Sequence, residues 1–188
     1  MNPTSPNHAL PRPALGVRLQ GLLPLFLALL LALPATLSQA QERRGTIVDY
    51  FQRLPAGALE DTAERMWAFV QRMPGAVVDV PNGYIRCPGD GAQGDFELAL
   101  FRYTDDRPLL ALCQGEPGEK DYWYLHFYER DAEGRLHKVD RAILRPGNEP
   151  NRRFELPRKG RTIVVRDTKS GQVTGRWTWN GERFVEGK

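Results

Sequence analysis

The chain changes hydrophobic period once, and the change divides it. From Leu59 to Met73 the apolar residues Leu59, Ala63, Met66, Trp67, Val70 and Met73 recur mostly at steps of three and four. That spacing lines them along one side of an α-helix. Glu60, Asp61 and Glu64 crowd its first turn, where negative charge meets the positive end of the helix dipole. Pro74-Gly75 ends it. A shorter apolar segment, residues 46–55, precedes it.

After Pro74 the period falls to two and stays there. Short alternating runs predict strands near 76–80, 83–87, 95–103, 108–113, 121–129, 135–144, 161–167, 172–179 and 183–185. Turn residues separate them, among them Pro81-Asn82-Gly83, Pro88-Gly89-Asp90-Gly91 and Asn180-Gly181. Asn-Gly suits a two-residue hairpin, because both turn positions need positive φ. No long helix interrupts the series, and parallel strands need crossovers, so the sheet is expected to be mainly antiparallel. The expected fold class is α+β: one N-terminal amphipathic helix packed on a curved antiparallel sheet.

Residues 145–160 break the rhythm with three prolines and two glycines. Phe154 to Leu156 is at most a brief strand. A loop of this length in a compact domain is usually functional or mobile. Arg145, Arg152, Arg153, Arg158 and Lys159 outnumber Glu149 and Glu155 there, which marks a candidate anion-binding loop beside the plainer reading of a solvated connector.

The N-terminus reads as a leader. Arg12 and Arg18 precede an apolar run from Leu22 to Leu33, and a polar stretch ends at Ser38-Gln39-Ala40. Basic region, apolar core and small-x-small site are the parts of a secretory signal. The run is shorter than the roughly 20 residues that span a bilayer. Cleavage after Ala40 leaves residues 41–188 as one domain with no stable membrane anchor, expected in the periplasm or outside the cell. Its formal charge is +1, but residues 41–129 carry 9 basic and 15 acidic side chains and residues 130–188 carry 15 and 8. A mixed solvated surface accounts for this. The sharper reading is a basic face toward an anionic envelope polymer or a membrane surface.

The two cysteines, Cys87 and Cys113, both follow the leader. In an exported chain an even pair predicts a disulfide, worth roughly 3–4 kcal/mol by loop closure. If strands 83–87, 95–103 and 108–113 form a meander, however, the two flank its middle strand at roughly 9.6 Å, beyond the reach of about 7 Å. Either both lie past the middle strand, where the chain can curl inward, or the strand order differs. The disulfide is kept as the expectation.

Several chemistries find no support. Ser170 is the only serine after residue 40 and sits in a hairpin turn, with no Gly-x-Ser-x-Gly elbow. The cysteines are not a Cys-x-x-Cys redox pair. His126 and His137 with two cysteines have the number but not the spacing of a zinc finger, so no metal is expected. Asp90 to Asp95 is oxygen-rich but lacks the EF-hand pattern. No glycine-rich phosphate loop points to a cofactor, and no nucleic-acid-binding signature accompanies the near-neutral charge.

In Tyr122 to Arg130, YWYLHFYER, alternation separates two faces. Trp123, Leu125 and Phe127 point to a core. Tyr122, Tyr124, His126 and Tyr128 point the other way, with polar tips on apolar bodies. This second set is a candidate ligand face, or else the surface on which the 59–73 helix rests. Trp177 and Trp179 likewise share a face. The expected function is a non-catalytic exported binding module for an envelope polymer or a protein, acting through Tyr122, Tyr124, His126 and Tyr128 with Arg152, Arg153, Arg158 and Lys159. The alternative is a small envelope hydrolase using carboxylates, with Asp95, Glu97 or His126 as participants.

Overall fold

The computed structural model describes residues 44–118, 121–139 and 150–187. The leader, residues 140–144 of the expected sixth strand and residues 145–149 of the basic loop lie outside them. Among the described residues no helix is long and apolar enough to cross a membrane.

Two short helices come first. Thr46 caps α1 (Ile47–Phe51) reciprocally: Thr46 Oγ1 accepts from the Asp49 amide at 3.3 Å, and Asp49 Oδ2 accepts from the Thr46 amide at 2.6 Å. This capping box satisfies amide donors that a helix start leaves open. The expected 59–73 helix begins late. Thr62 caps α2 (Ala63–Arg72) by accepting from the Arg65 amide, so the chain ahead of it is bent rather than helical. Leu59 is buried all the same.

The strands among the described residues form two antiparallel sheets, not the single curved sheet expected. The first sheet runs β1 (Val77–Asp79), β2 (Tyr84–Cys87), β3 (Phe96–Arg102), β4 (Pro108–Gly115), β5 (Trp123–Arg130) and β6 (Leu136–Val139), each strand pairing with the next. The second orders β10 (Phe184–Glu186), β9 (Val173–Trp179), β8 (Thr162–Asp167) and β7 (Arg152–Glu155). β7 makes residues 152–155 of the expected basic loop a strand that pairs with β8.

Both faces of the six-stranded sheet are covered. Ile85, Cys87, Phe96, Leu98, Leu110, Leu112 and Tyr128 pack with Ile47, Tyr50 and Phe51 of α1 and Met66 and Val70 of α2. On the other face Tyr84, Ala99, Phe101, Leu109, Ala111, Cys113 and Phe127 pack against Phe154, Ile163, Val165, Trp179 and Phe184 of the second sheet. Two covered faces account for Leu109 to Cys113, five consecutive buried residues with no polar partner face. Trp179 joins the sheets: its ring meets Tyr103 edge-on at 5.0 Å, and its Nε1 donates to the Arg102 carbonyl at 2.7 Å. That bond satisfies the indole, which a buried tryptophan needs.

The expected Cys87–Cys113 disulfide is absent; both are free, buried thiols. Cys87 pairs with Phe96 and Cys113 with Glu97. Neighbours on β3 point to opposite faces, so the cysteines lie on opposite sides of the sheet as well as two strands apart. The meander forms, and it rules out the bridge.

Candidate functional site

The sheet separates the residues expected to act together. Tyr128, 3% exposed, belongs to the core under the helices. Tyr124 and His126 on the same face are half-buried, with rings 6.3 Å apart and nearly parallel at 12°. Partial burial and the nearby Glu116 carboxylate raise the Tyr124 hydroxyl above its ordinary value. Tyr122 is 41% exposed at the strand's start. Trp123, Leu125 and Phe127 face the second sheet.

The arginines serve as anchors. Arg158 Nε donates to Asp79 Oδ2 at 2.7 Å, tying the chain after β7 to β1. Hydrogen bonding from Arg158 holds the Asp79 carboxyl below its usual range. Arg152 stands opposite Asp167 in the β7–β8 ladder. Lys159 is exposed beyond β7. Arg153 lines a cavity.

That cavity, about 440 Å³, lies where loop 88–95 and residues 115–118 meet Trp123, the start of β7 and Thr168 just after β8. Its lining includes Gly89, Gln93, Asp95, Glu116, Trp123 and Arg153. The size falls within the roughly 300–1,000 Å³ of small-molecule sites.

Its walls are built from close backbone contacts. Asp90 Oδ1 accepts from the amides of Ala92 and Gln93 at 3.0 and 2.9 Å. Asp95 Oδ1 accepts from the Gly89 amide at 2.7 Å, and Glu60 Oε1 from the Gly94 amide at 3.1 Å. A Cβ on Gly89 would meet the Gln93 carbonyl at 2.1 Å; one on Gly94 would meet the Gly115 carbonyl at 2.2 Å. Asn151 clips the far side: its amide donates to the Asp121 carbonyl and its carbonyl accepts from the Thr168 amide, both at 2.9 Å.

The Trp123 ring lies over Gly115, where a Cβ would stand 3.3 Å from it. The Arg153 guanidinium lies over that ring, its carbon 4.5 Å from the centroid. Beneath them Glu97, 6% exposed, is the one charged side chain that is buried among the described residues. Its Oε2 accepts from the Leu156 amide at 2.9 Å; its Oε1 lies 3.5 Å from Arg153 Nη2 and 4.0 Å from Arg86 Nε. Burial raises the Glu97 carboxyl above its ordinary range, against the pull of the Leu156 amide and the arginines. His126 lies on the opposite face of the sheet from Glu97, because it pairs with Leu112 and Glu97 with Cys113. An acid–base set joining the two has no common cleft.

Sequence reasoning passed over most of this site. It read Trp123 as core alone and Asp90 to Asp95 as turn chemistry. The signal to be had was the density of glycine in two loops, Gly89, Gly91 and Gly94 in one and Gly115 and Gly118 in the other, since glycine marks close backbone approach. The comparisons with protein-family models, with curated proteins and with solved structures find nothing that matches this chain.

Proposed function

We propose that this chain is a non-catalytic binding module of α+β class whose ligand site is the cavity between loop 88–95 and residues 115–118. The observation that carries this reading is the Arg153–Trp123 pair in the cavity lining, framed by Gly89 and Gly94, whose side-chain positions are taken up by neighbouring backbone. An aromatic ring, a cation and close backbone walls are the materials of a small-molecule site. Export by the 1–40 leader, and an envelope polymer or protein as the source of the ligand, belong to the same proposal.

The hydrolase alternative draws on Glu97, whose raised carboxyl resembles that of a general acid. Its two oxygens already face the Leu156 amide and two arginines, as a structural anchor's would. Asp95, the nearest other acid in the chain, accepts from the Gly89 amide. The test is a screen of small polar compounds by NMR on the folded protein. Binders should shift the Trp123 indole signal and leave unchanged. Binders that shift only distant residues, or turnover abolished by Glu97→Gln, would overturn the proposal.

A further inference from the structure

A second cavity, about 660 Å³, lies between the chain just after α1 and the turn that joins β5 to β6. Arg53 and Pro55 line it from the first side, and Arg130, Glu133, Arg135 and the core residue Leu136 from the second. Three arginines against one acid set the sign of its charge.

The hydrogen bonds show which of these cations are open. Arg135 folds back on its own turn: its Nε donates to Asp131 Oδ2 at 2.9 Å and its Nη2 to Glu133 Oε2 at 3.2 Å. Those two contacts balance Arg135 and engage the one acid of the lining. Arg53 and Arg130 are exposed, and neither guanidinium has a hydrogen bond or ion pair among the described residues. Asp49, whose charge reaches Arg53, already accepts from the Thr46 amide and hydroxyl. The Arg130 guanidinium lies over Gly134, where a Cβ would stand 3.1 Å from Nη2 and 3.3 Å from Nε. Gly134 itself lines the cavity, so this cation sits at its edge.

Two uncompensated cations on one cavity favour a ligand with two negative charges over a ligand with one. A phosphate monoester carries about −1.5 to −2 near neutral pH on three acceptor oxygens, and the planar fork of arginine matches it. A carboxylate has one charge to share between the two. We infer that the cavity at the β5–β6 turn binds a doubly charged phosphate group through Arg53 and Arg130. Inorganic phosphate and the phosphate monoester of a small organic molecule both supply that group. The volume lies within the roughly 300–1,000 Å³ of small-molecule sites, and Pro55 and Leu136 offer apolar surface to an organic body. This site and the cavity lined by Trp123 are built from different residues, and neither reading rests on the other.

The experiment is an NMR titration of the folded protein at fixed ionic strength near neutral pH. Glucose 6-phosphate and inorganic phosphate carry the dianion; dimethyl phosphate and acetate carry a single charge. At least one of the two dianions should shift the Gly134 amide and Arg130 Nε signals and bind about tenfold or more tighter than either monoanion. Inorganic phosphate equal to or tighter than the sugar phosphate assigns the site to the ion; a tighter sugar phosphate assigns it to an organic phosphate. Arg53→Ala and Arg130→Ala should each weaken binding by about tenfold, and because both side chains are exposed, far-UV circular dichroism should stay native. Arg176→Ala removes an exposed cation from β9 in the other sheet and should change affinity by less than about twofold.

No saturable shift with either dianion would overturn the inference, as would monoanions that bind as tightly. Binding unchanged in Arg53→Ala or Arg130→Ala, or weakened equally in all three variants, would reduce it to general charge attraction and overturn it too. Shifts confined to Trp123 and its neighbours would move the anion to the other cavity and remove it from this one.

Discussion

Cys87 on β2 faces the helical core, and Cys113 on β4 faces the second sheet. The sheet lies between them. Burial pushes the Cys87 thiol up to about 11 and raises Cys113 further still. Thiolate is the reactive form, so both are expected to be inert in the folded state. Iodoacetamide under native, non-reducing conditions should add nothing within hours. Unfolding in denaturant, still without reductant, should expose two alkylatable thiols by mass. An oxidised mass with no alkylation after unfolding would contradict the opposed geometry.

Tyr122 and Tyr128 share a face of β5 by alternation but not a role. Tyr128 packs with Leu110 and the helices in the core, and Tyr122 is exposed. Truncating a large buried aromatic costs about 3–5 kcal/mol, whereas an exposed substitution stays within about 0.5 kcal/mol. Tyr128→Ala should therefore lower stability by about 3 kcal/mol or more, and Tyr122→Ala by less than about 0.5 kcal/mol. Urea denaturation of both variants measures the difference. Equal effects would mean that the helices do not cover the Tyr128 end of the strand.

These two residues also show how far the sequence could be read. Alternation separates Trp123, Leu125 and Phe127 from their neighbours because strand geometry imposes it locally. It cannot say how far along the other face a cover extends, and full burial on that face ends between Tyr128 and the half-buried His126. The second sheet left a trace in Leu109 to Cys113, an unbroken apolar run of the kind two covered faces require. Arg153 reaching Glu97, 56 positions earlier, left none. That contact depends on how β7 meets the first sheet, and no local pattern encodes it. Arg153 and Arg158 looked like parts of one anion site because their acidic partners, Glu97 and Asp79, are distant in sequence.

Gly94 supports the cavity through backbone contact. A Cβ at this position would stand 2.2 Å from the Gly115 carbonyl and 3.1 Å from Glu60 Oε1. A side chain there forces loop 88–95 away from Gly115, and overpacking of this kind costs about 1–3 kcal/mol. Gly94→Ala should lower stability by about 2 kcal/mol and speed exchange of the Gly115 amide, which donates to the Asp95 carbonyl at 2.8 Å. Hydrogen exchange read by NMR makes the check. Unchanged protection of Gly115 would show that the two loops are not held together as described.

Glu97 should give the fold a pH dependence of defined sign. Its carboxyl is raised in the folded state, chiefly by burial, from an ordinary value of 4.5. A raised acid favours the folded protein when protonated. Its contribution is fully present below the unfolded value and is lost as pH climbs from there through the raised value. Tyr84 and Arg86 on β2, Cys113 on β4 and Arg153 on β7 face the same carboxylate. The thiol and the phenol are raised by burial and remain neutral over this range. Over the pH window that opens at the ordinary value of 4.5 and runs upward, the group that titrates at this cluster is Glu97. Glu97→Gln keeps an acceptor for the Leu156 amide but cannot ionise. Thermal melts of the two proteins across that window should diverge, with the wild type losing stability relative to Glu97→Gln as pH rises. A constant difference, or one that favours the wild type as pH rises, would mean that the ion pairs with Arg153 and Arg86 outweigh the burial of the charge.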